Sequence, residues 1–450
     1  MFEHNRVYEV ILILKDNCAI KYYPDYAANS LRMTKEMGNR MLNRKIFKIL
    51  FISFIIITFT ITIINASKNN NSVSDGEKEN NQAQNSPKTE NLDVALEDEK
   101  DSNESDSLKK EAPKARAVYI TGASAGNEAF LNNIINLIKT TELNAVVLDI
   151  KEDGKVNYKS DIKSVRDIKA YNNLYDVDSV LKKLKDNDIY VIGRLVCFRD
   201  NYLARKRGDL AIKSHDGSIW KENNAIAWTN PFNREVWEYN IEIAKEAVDK
   251  GFDEIQFDYV RFPTASSKEV YYGEDVPPKA DAISDFLKKA ASVLHKKGAL
   301  VSADIFAIVC ESSGDTEGIG QVLERVGMDI DYISPMIYPS HYANDSKGMM
   351  GNGVGQSING VVFTAPDLQP YEVVYNVLEK TKNRISKVEG YRADVRPYLQ
   401  GFTASYLPKG YYQTYGPKQI KQQIKAVYDA GFEEWIIWEA GNNYMEESFK

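Results

Sequence analysis

One count constrains this chain more than any other feature. Between Ala117 and Trp438, short apolar runs rich in β-branched and aromatic residues recur eight times: Ala117–Thr121, Ala145–Ile150, Ile189–Val196, Glu254–Tyr259, Leu300–Phe306, Tyr332–Ile337, Val395–Leu399 and Glu434–Trp438. Amphipathic stretches with helical spacing lie between several of them, over Asn127–Thr140, Val177–Lys185, Asn233–Lys250, Ala282–Lys297, Tyr371–Val388 and Pro417–Ala430. A near-continuous apolar strand is covered on both faces, and repeated strand-then-helix order implies parallel pairing. Eight such units predict an α/β fold of the (β/α)8, or TIM barrel, kind. The alternative is a doubly wound open sheet. That fold usually carries a Gly-rich dinucleotide loop after its first strand, and Gly122-Ala-Ser-Ala-Gly126 lacks the spacing.

The barrel accounts for residues 115–450 of the 450, and three segments precede it. Ile49 to Ala66 reads ILFISFIIITFTITIINA, eighteen residues without a charge. As a helix this run covers roughly 27 Å, close to the hydrocarbon thickness of a bilayer. Arg40, Arg44, Lys45 and Lys48 precede it, so the positive-inside rule keeps the N-terminus cytoplasmic and exports the chain beyond Ala66. The run is longer than a usual signal h-region, and Asn65-Ala66-Ser67 is a poor cleavage site, which favours a retained signal anchor in the cell membrane. Residues 67–114, rich in Asn, Ser, Glu, Asp and Lys and without an aromatic residue, are predicted to be a disordered linker. Residues 1–48 are read as a cytoplasmic segment; Met41 or Met37 would make a more conventional start for an exported chain.

Composition removes several function classes. A formal net charge of −7 argues against a nucleic-acid partner. Three cysteines (Cys18, Cys197, Cys310) cannot staple a domain of this size, and Cys197 and Cys310 are expected as free, buried thiols. Four histidines and no Cys/His spacing make a metal centre unexpected, and no cofactor is implied.

Chemistry in a barrel sits where the strands end at the C-terminal face. Here those ends carry Asp149, Lys151, Glu152 and Asp153; Arg194, Arg199 and Asp200; Gln256, Asp258 and Arg261; Asp304; Tyr338 and His341; Arg396, Tyr398 and Gln400; and Trp438, Glu439, Asn442 and Asn443. A carboxyl inside an apolar strand is costly unless paired, so any one can be a structural ion pair. Several at equivalent depths point to a site. Paired carboxyls with aromatics and no metal ligands suit glycoside hydrolysis. Period-two alternation turns Asp258 and Asp304 of adjacent strands into the mouth as the catalytic pair. Arg261 is expected to hold Asp258 ionised as a nucleophile, leaving Asp304, or else Glu439, as the acid. Asp149, Arg194, Arg261, Tyr338, His341, Gln400, Trp438 and Glu439 are the predicted substrate contacts, with Tyr338, Trp438 and Tyr259 as a platform for sugar rings. His341 can equally be a plain loop residue, and each aromatic can equally be core.

Eight stretches in order resemble the bacterial "putative glycosyl hydrolase domain" family, domain of unknown function 4015: ARAVYITGASAG, LNAVVLDIKEDG, IYVIGRLVCFRD, WTNPFNREVWEYN, GFDEIQFDYVRFPT, ISPMIYPSHY, VRPYLQGFTA and GFEEWIIWEAGNNY. The resemblance implies a TIM barrel related to glycoside hydrolases, of unsettled substrate, with Asp258 of QFDYVRFP as the central acid, flanked by Asp149, Asp304 and Arg261; the acids and the export signal together lead us to expect a polysaccharide or oligosaccharide substrate. Gly401, where the family often has an acid, and Glu439, where it often has Asn, depart from the pattern. GFDEIQFDYV and SPMIY also resemble the strand-four and strand-six signatures of family-18 chitinases. The glutamate that substrate-assisted chemistry needs is replaced here by Val260. The competing class is a non-catalytic glycan-binding scaffold on a degenerate barrel.

Overall fold

The computed structural model describes residues 106–342 and 356–450. Eight strands close into one parallel barrel. They are β1 (Arg116–Ile120), β2 (Ala145–Glu152), β3 (Tyr190–Val196), β4 (Glu254–Asp258), β5 (Leu300–Phe306), β6 (Tyr332–Ile337), β7 (Asp394–Val395 with Tyr398–Gln400) and β8 (Trp435–Trp438). Each pairs with its sequence neighbours, and β8 returns to β1 through Ala117 opposite Ile436. The expected runs for β5 and β6 coincide with the strands, and the others lie within two residues. The seventh run divides at Arg396-Pro397, because proline has no N–H to give the ladder.

Around the barrel run α1 (Glu128–Lys139), α2 (Val177–Lys185), α3 (Arg234–Lys250), α4 (Lys279–His295), a short α5 (Leu323–Val326), α6 (Pro370–Ile385) and α7 (Pro417–Asp429). Local chemistry sets their ends. The Asn233 side chain accepts from the Glu235 amide at 2.8 Å to start α3. Gly251, at φ +115°, ends it in the left-handed conformation that a Cβ would disfavour. Between those caps Val236, Trp237, Ile243, Ala244 and Ala247 are buried against the strands. Each large aliphatic side chain so buried contributes roughly 1.5–3 kcal/mol.

The barrel interior is unusually polar below its mouth. On the floor, Arg396 is wholly buried. Its Nη1 donates to both oxygens of Glu254 at 2.8 and 3.0 Å, and its Nε donates to Glu434 at 3.2 Å. The Tyr332 ring lies 3.7 Å from its guanidinium. One layer up, Tyr398 donates to Gln256, whose amide donates to Ser334 at 3.1 Å. Arg396 therefore belongs to the floor and not to the rim where its place in the sequence suggested it.

Upstream of Ala115 the chain is already helical at 106–111, within the stretch expected as linker. Lys109 meets Asp394 at 3.0 Å and the Arg392 carbonyl at 3.0 Å, so this helix is fastened beneath the barrel. Among the described residues no helix is long and apolar enough to cross a membrane. The candidate anchor 49–66, and residues 1–48, lie outside the described residues.

Candidate active site

The site begins with an irregularity in β2. The pairing of β2 with β3 slips between Asp149 and Lys151. Strict alternation from Asp149 would send Lys151 inward and Glu152 outward. The bulge reverses this. Lys151 turns into the helical shell, where its ammonium meets Asp200 at 2.7 Å, Asn240 of α3 at 2.9 Å and the Val196 carbonyl at 3.0 Å. Glu152 turns to the mouth beside Asp149. Lys151 and Asp200, both expected at the rim, form a buried structural pair instead, and Asp200 also caps the helix at Asn201–Lys206.

Arg194 sits at the centre of the mouth. In register it lies opposite Asp149 and Gln256, one layer below Asp258, and its length lets it climb to that layer. Nη1 donates to Asp149 Oδ1 at 2.6 Å; Nε and Nη2 donate to Asp258 Oδ2 at 3.0 and 2.6 Å. Glu152 Oε1 lies 3.8 Å from Nη1. Tyr119 donates to Asp149 Oδ2 at 2.5 Å, and its ring stacks on Trp438 with centroids 4.0 Å apart. Asp258 Oδ1 accepts from the Tyr259 amide at 2.6 Å, and Tyr259 takes φ +49°, rare for an aromatic residue. Such backbone costs about 1–3 kcal/mol and persists where surrounding structure fixes it. Arg194, not Arg261, is therefore the ion-pair partner of Asp258. The sequence offered two arginines, and only side-chain reach across strands distinguishes them.

Asp304 faces the same layer from β5, since Gln256 pairs with Ser302 in the parallel ladder. It is 2% exposed, and its Oδ1 has no hydrogen-bond partner. Burial first, and the Asp258 carboxylate second, push the Asp304 carboxyl well above the usual carboxylate range. Glu152 is also raised, to about 9, chiefly by the Asp149 carboxylate and then by burial. Its side chain keeps 37% of its surface open to solvent. Glu152 was visible at the end of its strand, but only the bulge shows that it shares the mouth with Asp149.

The other expected contacts divide. Trp438 is half-buried over Arg194, its ring 5.3 Å from the guanidinium. Tyr338 is buried and meets His341 and Phe402 edge-on at 5.0 and 5.7 Å. Burial lowers the His341 imidazole to about 4, so the ring is neutral at physiological pH. Glu439 is half-buried and accepts from the Asn443 amide at 2.7 Å, holding the loop after β8. Gln400 is fully buried and committed to protein. Its carbonyl accepts from the Ser340 amide, and its amide donates to Asp367 and to the Phe402 carbonyl, at 2.9–3.0 Å. It joins the loops after β6 and β7 and offers nothing to a ligand.

Arg261 is 7% exposed and lies among three rings, 4.3 Å from Phe306, 5.0 Å from Trp228 and 5.1 Å from Tyr259. Cys197 and Cys310 are free and buried. Among the described residues no group of three or more His, Cys, Asp or Glu side chains is arranged to hold a metal; a guanidinium occupies the space between the mouth carboxyls. Two open depressions on the helical shell, of about 750 and 510 Å³, are lined by charged side chains such as Asp161 and Glu246, and Asp285 and Lys289. Neither contains a mouth carboxyl.

The family model described as "Putative glycosyl hydrolase domain" matches residues 117–444. None of the curated proteins compared with the chain matches it. A hypothetical protein from Ruminiclostridium thermocellum ATCC 27405 is 47% identical, with 42% of this chain and 96% of that one covered and a TM-score of 0.40. The PgaB (BpsB) glycoside hydrolase domain from Bordetella bronchiseptica is 14% identical, with 74% and 97% covered and a TM-score of 0.52. At that identity the likeness shows a shared fold and says nothing of substrate.

Proposed function

The chain belongs to the putative glycosyl hydrolase domain family, and from that membership and the carboxyls gathered at the barrel mouth we propose that it hydrolyses glycosidic bonds. The reaction needs one carboxyl to give a proton to the leaving oxygen and another to attack the anomeric carbon or activate water. Asp258 takes the second part. Its oxygens are aimed by Arg194 and by the Tyr259 amide, and its neighbours leave it facing the mouth. Asp304, kept protonated by burial and by Asp258, gives the proton. Trp438, half-buried over Arg194, and Tyr338 are assigned as the aromatic contacts of the sugar. The observation that carries this reading is the pairing on adjacent strands of a hydrogen-bonded carboxylate with a carboxyl of strongly raised pKa.

A second assignment of the proton donor is favoured by one observation: Glu152 is open to solvent and Asp304 is not. In that arrangement Glu152 protonates the leaving group and Asp304 stays a neutral neighbour of Asp258.

The substrate is a polysaccharide or oligosaccharide of the cell envelope or its surroundings, and the barrel works outside the cell, tethered through residues 49–66. Support for the location is the uncharged run with its basic flank. The test is a hydrolysis screen of the full-length protein against envelope and extracellular glycans, followed by Asp258→Asn. Once wild-type cleavage is established, Asp258→Asn is expected to reduce it at least a hundredfold with the melting temperature kept within a few degrees. Undiminished cleavage by that variant overturns the assignment. Protease treatment of intact cells should remove the barrel and leave cytoplasmic markers whole; protection of the barrel would refute the location.

A further inference from the structure

Arg261 is the one strand-end arginine whose pairing the mouth chemistry leaves unexplained. Arg194 has Asp149 and Asp258. Arg199 has Glu222 at 3.0 Å. Arg396 has Glu254 and Glu434. Arg261 has one hydrogen bond, from Nη1 to the Phe262 carbonyl at 2.9 Å, and no carboxylate within ion-pair distance among the described residues. A guanidinium carries five N–H donors, so most of its capacity is unspent.

Burying an uncompensated cation is costly. The faces of Trp228, Tyr259 and Phe306 repay part of that cost. Rings fix the plane of the guanidinium and supply no counter-charge. The local balance is also positive. Arg199 lies over the same Tyr259 ring at 5.3 Å, so two guanidinium groups share one ring, and Glu222 is paired to Arg199 alone. The location is beside the reaction. Tyr259 is next in the chain to Asp258 and donates its amide to that carboxylate, and Phe306 closes the strand that bears Asp304.

We propose that Arg261 is a binding residue for an anionic substituent, a carboxylate or a phosphate, on the sugar seated next to Asp258, and hence that the substrate is an acidic glycan. Both groups match the planar fork of the guanidinium. This rests on the glycan reading above but not on catalysis, since binding is enough to reveal it. Anion binding would also complete the charge balance that the protein leaves open on this side of the mouth.

The experiment measures binding to the full-length protein by calorimetry or ligand-observed NMR. The probes are D-glucuronic acid against its methyl ester, and glucose 6-phosphate against glucose. The expected result is at least tenfold tighter binding of one acid over its neutral partner, weakened by salt; the pair that responds names the anion. Arg261→Gln should abolish the preference for the acid over its neutral partner. Arg261→Lys, which keeps the charge and loses the fork, should retain part of it. Equal affinity for acid and neutral partners in the wild type overturns the proposal without any variant, as does a preference that survives in a folded Arg261→Gln. If the wild type prefers an acid yet cleaves nothing, this inference stands and the hydrolase reading falls. If it cleaves neutral glycans and shows no preference, the reverse holds.

Discussion

Replacing Arg194 by Met tests the electrostatic logic of the mouth directly. The substitution keeps much of the aliphatic stem and removes the guanidinium that serves Asp149, Asp258 and Glu152. Asp149 is fully buried, and the Asp258 side chain is 9% exposed. Each keeps one other donor, from Tyr119 and from the Tyr259 amide. Breaking a buried ion pair from one side costs about 3–5 kcal/mol because it strands the partner. With about 2.1 cal/mol/K of unfolding entropy per residue over a domain of more than 300 residues, that lowers the melting temperature by roughly 4–7 °C. The deficit should depend on pH with a definite sign. Without the cation, the stranded carboxyls bind protons more tightly folded than unfolded. The variant therefore loses stability as pH rises above the unfolded carboxylate value of about 4 and matches wild type most closely below it. Thermal melts of both proteins at pH 4 and pH 7.5 measure the gap, and Asp258→Asn added to the variant should recover part of it by removing one stranded charge. A deficit equal at both pH values, or under about 1 kcal/mol at pH 7.5, would refute the reasoning.

The buried groups of the mouth and its loops lead to further outcomes. If Asp304 holds its proton at neutral pH, Asp304→Asn should leave the protein as stable as wild type, or more so, above pH 7 while hydrolysis falls by at least a hundredfold; a marked loss of stability there would mean the carboxyl is ionised and paired. A proton donor works only below its pKa, so if Glu152 is the donor the activity profile falls through about pH 9, and Glu152→Gln removes both the activity and that limb. An unchanged profile in Glu152→Gln leaves Asp304 as the donor. Gln400→Leu should cost about 2–4 kcal/mol in denaturant unfolding, because Ser340 and Asp367 lose buried partners, with little change in the affinity for any glycan; normal stability with weakened binding would return Gln400 to the substrate.

The barrel was legible because its signal is repetition. Strands covered on both faces write themselves as apolar runs, and helices with one buried face write themselves as period-3.6 stripes, so β5, β6 and α2 emerge with their boundaries. The site was legible only to the level of which layer each residue occupies. Asp258 and Asp304 reach the mouth because alternation holds in β4 and β5. It fails in β2, where one extra residue exchanges the faces of Lys151 and Glu152, and nothing local in LDIKED marks the slip. Long side chains were the other source of error. Arg194 and Arg261 are both arginines near one strand end, and the choice of partner depends on which carboxyls the closed barrel brings within reach of a guanidinium. Gln400 and Arg396 look like rim residues in a linear reading. Loop partners 33 and 60 positions away consume the first, and carboxyls on β4 and just before β8 hold the second at the opposite end.

The helix at 106–111 enters from below, clasped to the segment that begins β7. On the tethering proposed above, the pull would fall on the closed end of the barrel, like a stem on a cup, so that the proposed glycan could be drawn across the lip without first passing between the barrel and its support.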